Sequence, residues 1–264
     1  MRLDGKRVVI TGASSGIGAE LARQLAAKRC RLALAARRAE MLEDVAKQVR
    51  AAGGEAIAIA ADVGDEASCR ALIERAVASL GGLDVLVCNA GISMFSRFDE
   101  VTDLGLYERL MRVNYLGAVW CTAHALPHLK RARGAIVAVS SQLGKVAAPT
   151  RSGYCASKFA MQGFFDSLRI ELAPDGVQVT IACPGIVHTD VRAAALGPDG
   201  KPRGESSIEE TGAMSAVACA ALILRAVERG KREERMTLKG RIAPLMTALA
   251  PSVVDRIASR TIRN

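Results

Sequence analysis

The chain has 264 residues, half of them hydrophobic, only 3% aromatic, and a formal net charge of +9. This length and apolar content suit one substantial core spanning 1–264, and so few rings leave no stacking platform for bases, so nucleic acid is not an expected partner. The charge gathers at one end, with ten Lys/Arg against four Asp/Glu over 225–264, and no apolar run approaches the roughly 18 residues of a membrane span.

In chain order, apolar β-rich runs alternate with amphipathic helical stretches. RVVIT (7–11) reads as a strand and 17–28 as a helix; RLALAA (31–36) is followed by a helix over 39–52, and EAIAIAA (55–61) by one over 66–80. A strand beginning near Arg7 leaves no room for a signal peptide. DVLVCN (84–89), a long helix over 103–130, AIVAVSS (135–141), a helix over 154–172 and VQVTIAC (177–183) continue the alternation.

Strands apolar at nearly every position are buried on both faces, which predicts a Rossmann-type doubly wound parallel sheet of about seven strands with helices on each side. Residues 186–212 break the pattern with LGPDGKPRGESS, and the loop follows a strand's carboxyl end, where open α/β sheets bind ligands. It is expected to be a substrate lid. A helix over 215–229, a short strand at 235–239 and a basic amphipathic tail over 241–264 complete the chain.

The first strand–helix turn reads TGASSGIG, placing Gly12, Gly16 and Gly18 together. Missing β-carbons allow a pyrophosphate close to the backbone, where the helix's first N–H groups stabilise its charge. The spacing is not the general dinucleotide fingerprint, but its setting in the first βαβ unit supports the same use. After the second strand, where an NAD site carries a carboxylate for the ribose 2′-hydroxyl, this chain has Arg37 and Arg38. Guanidinium groups there bind a 2′-phosphate, so NADP(H) is expected over NAD(H). Asp62 and Val63, beyond the third strand, are expected beside the adenine.

Tyr154 and Lys158 stand one helical turn apart and share a face. A neighbouring ammonium favours the phenolate, lowering the Tyr pKa from about 10 and making Tyr154 a candidate general acid and base. Ser141 precedes the pair at a strand's end, on the expected ligand edge.

TGASSGIG, NAG (89–91), NYLG (114–117), SS (140–141), YCASK (154–158) and PGIVHT (184–189) occur in that order. With these motifs the chain resembles the short-chain dehydrogenase/reductase superfamily over nearly its full length. SSQLGK (140–145), SKFAMQGFFDSLRIEL (157–172) and the DG turn of the lid resemble most the branch containing the 11-beta-hydroxysteroid dehydrogenases.

The resemblance implies an oxidoreductase that interconverts a carbonyl and an alcohol. Ser141 would hold the substrate oxygen, Tyr154 would transfer the proton, Lys158 would bind the nicotinamide ribose, and Asn114 would hold a water in a proton relay. Ser14 and Arg37 match positions that bind a 2′-phosphate; Ser15 departs from the basic residue common there, and Arg38 compensates. Ser15 and Ile17 complete the pyrophosphate turn, while Asn89, Ala90 and Gly91 frame the cofactor pocket. Pro184, Gly185, Val187 and Thr189 would lie along the nicotinamide. A bulky apolar substrate and a homodimer or homotetramer joined through the long helices are further implications.

Other residues suggest less. His124 and His128 lie one turn apart without a nearby carboxylate or Cys, so no metal site is expected. Seven scattered cysteines without a Cys-x-x-Cys pair read as reduced thiols of a cytoplasmic protein, and Cys155 as a packed one. The tail's apolar stripe, Ile242 to Ile257 with Arg241, Arg256 and Arg260 alongside, packs on the domain or a subunit, with contact to anionic lipid as the alternative. Two other readings stand beside the enzyme: a non-catalytic sensor of nicotinamide redox state, and a peripheral lipid-surface protein.

Overall fold

The computed structural model describes residues 1–189, 194–204 and 212–259. Seven strands form one sheet in the order β3-β2-β1-β4-β5-β6-β7. They are β1 (Arg7–Thr11), β2 (Arg31–Ala36), β3 (Glu55–Ala60), β4 (Val85–Cys88), β5 (Ala135–Val139), β6 (Gln178–Cys183) and β7 (Glu233–Arg235). Every pairing is parallel, so each connection crosses a face of the sheet, as the alternating pattern predicts.

Successive strand residues feed opposite cores. Val8, Ile10, Leu32 and Leu34 join the core under α1 (Gly16–Ala26), α2 (Ala39–Ala51) and α7 (Ala216–Glu228). Val9, Ala33, Leu86 and Ile136 join the one under α3 (Glu66–Leu80), α5 (Gly117–Ala132) and α6 (Ser152–Glu171). Phe165 of α6 is wholly buried there, a position where truncation to Ala costs about 3–5 kcal/mol.

The helix expected over 103–130 divides into α4 (Gly105–Met111), a π-helical turn (Arg112–Leu116) and α5, so the widened turn carries Asn114. The strand expected at 235–239 lies earlier, because β6 ends at Cys183 opposite Arg235 and Pro184 has no N–H to extend a ladder. Thr237 instead caps a helix, its hydroxyl accepting the Gly240 N–H at 3.0 Å. The expected tail is therefore a helical pair, α8 (Leu238–Leu249) and α9 (Pro251–Ser259); residues 260–264 lie outside those described.

The strand order reverses between β1 and β4. At the amino edge of this junction, Arg7 donates from its backbone N, Nε and Nη2 to the Asp84 carboxylate at 2.8–2.9 Å. Burial pushes that carboxyl up, but the Arg7 side chain and backbone N–H outweigh it and hold it below its usual value. The carboxyl edge, where such sheets bind ligands, is different.

Candidate functional site

β1 ends on Thr11, and its buried hydroxyl organises the crevice. It donates to the Val87 carbonyl at 3.2 Å and accepts the N–H groups of Asn89 and Ala90 at 3.0 and 3.1 Å. Asn89 returns its amide to the carbonyls of Thr11 and Gly12 at 2.9 and 3.1 Å. The Gly-rich turn is thereby pinned to the end of β4. Thr11 escaped the sequence reading, although a polar residue closing an apolar strand beside Gly12 was a usable signal.

Two glycines in this turn are sterically required. Gly12 has φ +67°, and a β-carbon there would stand 2.7 Å from the Ala90 Cα; one at Gly18 would stand 2.6 Å from the Asn89 amide nitrogen. Gly16 begins α1, and Ile17 packs against the adjacent core. Ser15, at the N-cap, makes no side-chain cap; its hydroxyl accepts from Arg38 Nη2 at 2.8 Å, which also reaches Ser14 at 3.3 Å. Arg38 is thus the arginine brought to the turn, whereas Arg37 is exposed beside it. The first N–H groups of α1 open onto a cradle that fits a dinucleotide pyrophosphate, with a guanidinium at its rim.

Asp62 and Val63 occupy the same edge beyond β3. The Asp62 carboxylate accepts the Gly64 N–H at 2.9 Å, and the Val63 carbonyl lies against Gly117 at the start of α5. Pro184, Gly185, Val187 and Thr189 follow β6 along this edge; Pro184 accepts the Gln142 N–H at 2.9 Å, and Thr189 lies against Gly16. Of the loop expected over 186–212, residues 190–193 and 205–211 lie outside those described. Residues 194–204 dock on the segment after β4: Leu196 exchanges backbone bonds of 2.9 Å with Ser93 and Phe95, and Phe95 stacks on Arg151 and Arg203.

Tyr154 and Lys158 project from α6 toward this cleft. Tyr154 is half-buried in an apolar cluster with Met94, Leu106, Leu110 and Leu196. Lys158 is 3% exposed, donates to the Val139 carbonyl at 2.9 Å, and holds its Nζ 5.9 Å from the Tyr154 ring centre. Among the described residues no carboxylate pairs with it, and burial pushes its ammonium down to about 8. Gly91 lies over this group, a β-carbon there standing 3.2 Å from Asn114 Oδ1 and 3.7 Å from Lys158 Nζ.

Asn114 is wholly buried. Its amide donates to the Ile92 carbonyl and the Ser157 hydroxyl, both at 2.9 Å, and its Oδ1 accepts the Ile92 N–H at 2.8 Å. Ser157 passes the link on to the Tyr154 carbonyl at 2.8 Å. This side chain therefore ties the β4 loop to the tyrosine's helix, a contact that its position 43 residues from Ser157 concealed. Ser141 accepts the Leu143 N–H at 3.1 Å at the end of β5. Cys155, one residue from Tyr154, is buried, and burial raises its thiol, as suits a packed rather than reactive residue.

The family profile described as short chain dehydrogenase matches residues 6–197. An "11-beta-hydroxysteroid dehydrogenase-like 3" protein of Arabidopsis thaliana is 37% identical over 258 residues, covering 95% of this chain and 79% of its own. A short chain dehydrogenase from Burkholderia cenocepacia, solved in complex with NADP, superposes with a TM-score of 0.74 at 33% identity, over 86% of this chain and 92% of the other. A short chain dehydrogenase/reductase from Burkholderia phymatum, in complex with NAD, has the same fold, with a TM-score of 0.80 at 24% identity over 88% and 89% of the two chains.

Proposed function

The chain belongs to the short-chain dehydrogenase family of oxidoreductases, and from that premise we propose that it interconverts an apolar ketone or aldehyde and the corresponding alcohol, with NADP(H) as hydride carrier and Tyr154 as general acid and base. The observation that carries this reading is the buried Lys158 cation, one turn from Tyr154, with no carboxylate to pair with among the described residues. An uncompensated interior cation favours any anion formed beside it, here the phenolate of Tyr154.

A nicotinamide cofactor, when bound, supplies or accepts the hydride. Gly12, Ser14, Ser15, Gly16, Ile17 and Gly18 would hold its pyrophosphate; Asn89, Ala90, Gly91 and Lys158, with Pro184, Gly185, Val187 and Thr189, would hold the nicotinamide half. Asp62 and Val63 would flank the adenine. Arg38, already bonded to Ser14 and Ser15, and Arg37 beside it, would bind a 2′-phosphate.

In reduction Tyr154 gives its phenolic proton to the substrate oxygen as negative charge develops there, and in oxidation it takes that proton back. Ser141 donates a hydrogen bond to the same oxygen, positioning the carbonyl. Lys158, protonated at neutral pH, keeps the phenolate accessible. The Asn114 side chain is engaged by Ile92 and Ser157, so its backbone carbonyl in the π-helical turn is the atom assigned to hold a relay water.

Ile92, Met94, Leu106, Leu110 and Leu196 around Tyr154 support an apolar substrate. Exposed Phe159 and Ile170 on α6 support a homodimer or homotetramer through the long helices, and seven buried free thiols support a cytoplasmic location.

The test is a panel of apolar ketones and secondary alcohols with NADPH and NADP. Tyr154→Phe is expected to lower turnover by roughly a hundredfold or more with cofactor binding retained; full activity would refute the role. Arg38→Ala is expected to weaken NADPH binding about tenfold and leave NADH unchanged; an equal loss for both removes the NADP preference.

A further inference from the structure

Among the described residues every strand but one is built mostly from apolar side chains; the exception, β7, reads EER. Hydrophobic burial cannot hold such an edge strand in place, yet the side chains of Glu233 and Glu234 are only 9% and 6% exposed. Taking a carboxylate out of water is costly unless it is paired, so each needs a specific partner. Glu234 finds Lys231, three residues away, at 2.5 Å. Glu233 finds its partners across the fold.

The Glu233 carboxylate reaches the turn that carries Ser141. It accepts from Lys145 Nζ at 2.7 Å and Gln162 Nε2 at 3.1 Å, and it also pairs with Arg235. Lys145 closes the 3₁₀ turn Gln142–Gly144 that Ser141 opens, its N–H donating to the Gln142 carbonyl at 3.0 Å. Gln162 stands one turn beyond Lys158 on α6 and divides its amide between Glu233 and Asp166, both at 3.1 Å. Lys145 Nζ lies 3.7 Å from that same Asp166. Arg169 and Arg232 also serve Asp166, and Arg235 serves Glu233, so both acids keep cationic partners without Lys145. What the lysine adds is the tie from the Ser141 turn to β7 and α6.

The other end of the turn is fastened to the same segment. Gln142 donates its side-chain amide to Thr237, two residues beyond β7. That amide lodges between Gly185 and Gly240, where β-carbons would stand 2.6 and 2.8 Å from its nitrogen. A three-residue 3₁₀ turn makes few bonds of its own, so its seat relative to α6 is set from outside. The Ser141 hydroxyl accepts the Leu143 N–H at 3.1 Å, which leaves its proton to be donated, and the direction of that donation follows the seat of the turn.

We propose that Lys145 and Gln142 are positioning residues, which aim the Ser141 hydroxyl at the substrate oxygen by fastening both ends of its turn to residues 233–237. Both act through Ser141. The proposal rests on the role given to Ser141 above and adds what fixes its aim. The test measures kcat, KM and NADPH affinity with the ketone of the panel that is turned over fastest. It compares the original chain, Lys145→Met, Lys145→Arg, Gln142→Ala and Ser141→Ala, together with Lys145→Met and Gln142→Ala each combined with Ser141→Ala.

Lys145→Met keeps the aliphatic stem and loses the bond to Glu233. It is expected to lower kcat about tenfold with NADPH affinity unchanged, since a displacement of roughly 1 Å at a positioned group can cost up to about a hundredfold, and Lys145→Arg is expected to restore most of the loss. In the Ser141→Ala background the same substitution is expected to change kcat by less than about twofold, because the group that it aims is gone. Gln142→Ala is expected to show the same pattern, so either variant carries the test if the other fails to fold. The proposal is overturned if the substitutions leave kcat unchanged, or if they lower it equally in both backgrounds, the mark of a merely structural role. In those two outcomes a loss of about tenfold or more in Ser141→Ala leaves the role of Ser141 standing; full activity in Ser141→Ala overturns that role and the proposal with it.

Discussion

Arg7 and Lys158 are both cations at an end of the same parallel sheet, yet they are held in opposite ways. Arg7 spends its donors on Asp84 and the Gly81 carbonyl, and its pair remains part-exposed at the amino edge. Lys158 is buried at the carboxyl edge with a carbonyl and a methionine sulfur for partners. Ser140, the residue immediately after β5, likewise has a buried hydroxyl without a hydrogen bond among the described residues. The first end is satisfied and structural; the second keeps polar capacity in reserve at a cost in stability, as functional sites do.

The sharpest way to break this contrast is to fill the cradle. Gly12→Val puts a branched side chain at φ +67° against the Ala90 backbone, and is expected to weaken NADPH binding by roughly a hundredfold or more, read by fluorescence titration. Binding within threefold of the original chain would show that the turn is not the cofactor cradle.

Lys158 gives the next effect, visible in pH dependence. Its ammonium titrates near 8 when folded against 10.5 ordinarily, so the unfolded chain binds more protons between those values and this group's contribution to stability rises with pH. Buried thiols such as Cys88, pushed up to about 12, impose the opposite slope above pH 9, so the quantity to read is the difference from Lys158→Met. That variant is expected to gain relative to the original chain near pH 7, by at most on the order of 3 kcal/mol, and to lose the gain by pH 10.5. A difference in urea midpoints that does not change with pH would contradict the buried cation.

Asp84→Ala probes the other edge and should cost about 1–2 kcal/mol, the ion pair being part-exposed, with NADPH affinity unchanged. Since the Asp84 carboxyl stands below its usual 3.8, its contribution is complete above that value and is lost as pH falls through the folded pKa. The difference between the two proteins in urea unfolding should therefore shrink in acid. A change in cofactor affinity instead would mean that the two edges are coupled.

Much of this molecule is written in local pattern. Whereas the reversal of strand order beside β1 is set by the packed sheet, the strand runs and their crossings follow from apolar residues at nearly every strand position. The shared face of Tyr154 and Lys158 follows from one helical turn. These features depend on neighbours a few residues apart, so periodicity and backbone sterics carry them.

Other features depended on chain segments distant in sequence. Thr11 meeting Asn89, Arg38 rather than Arg37 reaching Ser14 and Ser15, and Asn114 bonding Ser157 are all set by how the layers pack. The short β7 followed by a helix was decided by where β6 ends, and the outward turn of Leu245 and Leu249 by which face of α8 meets the domain. An amphipathic pattern specifies that two faces differ, while only the packed structure decides which of them water is left to touch.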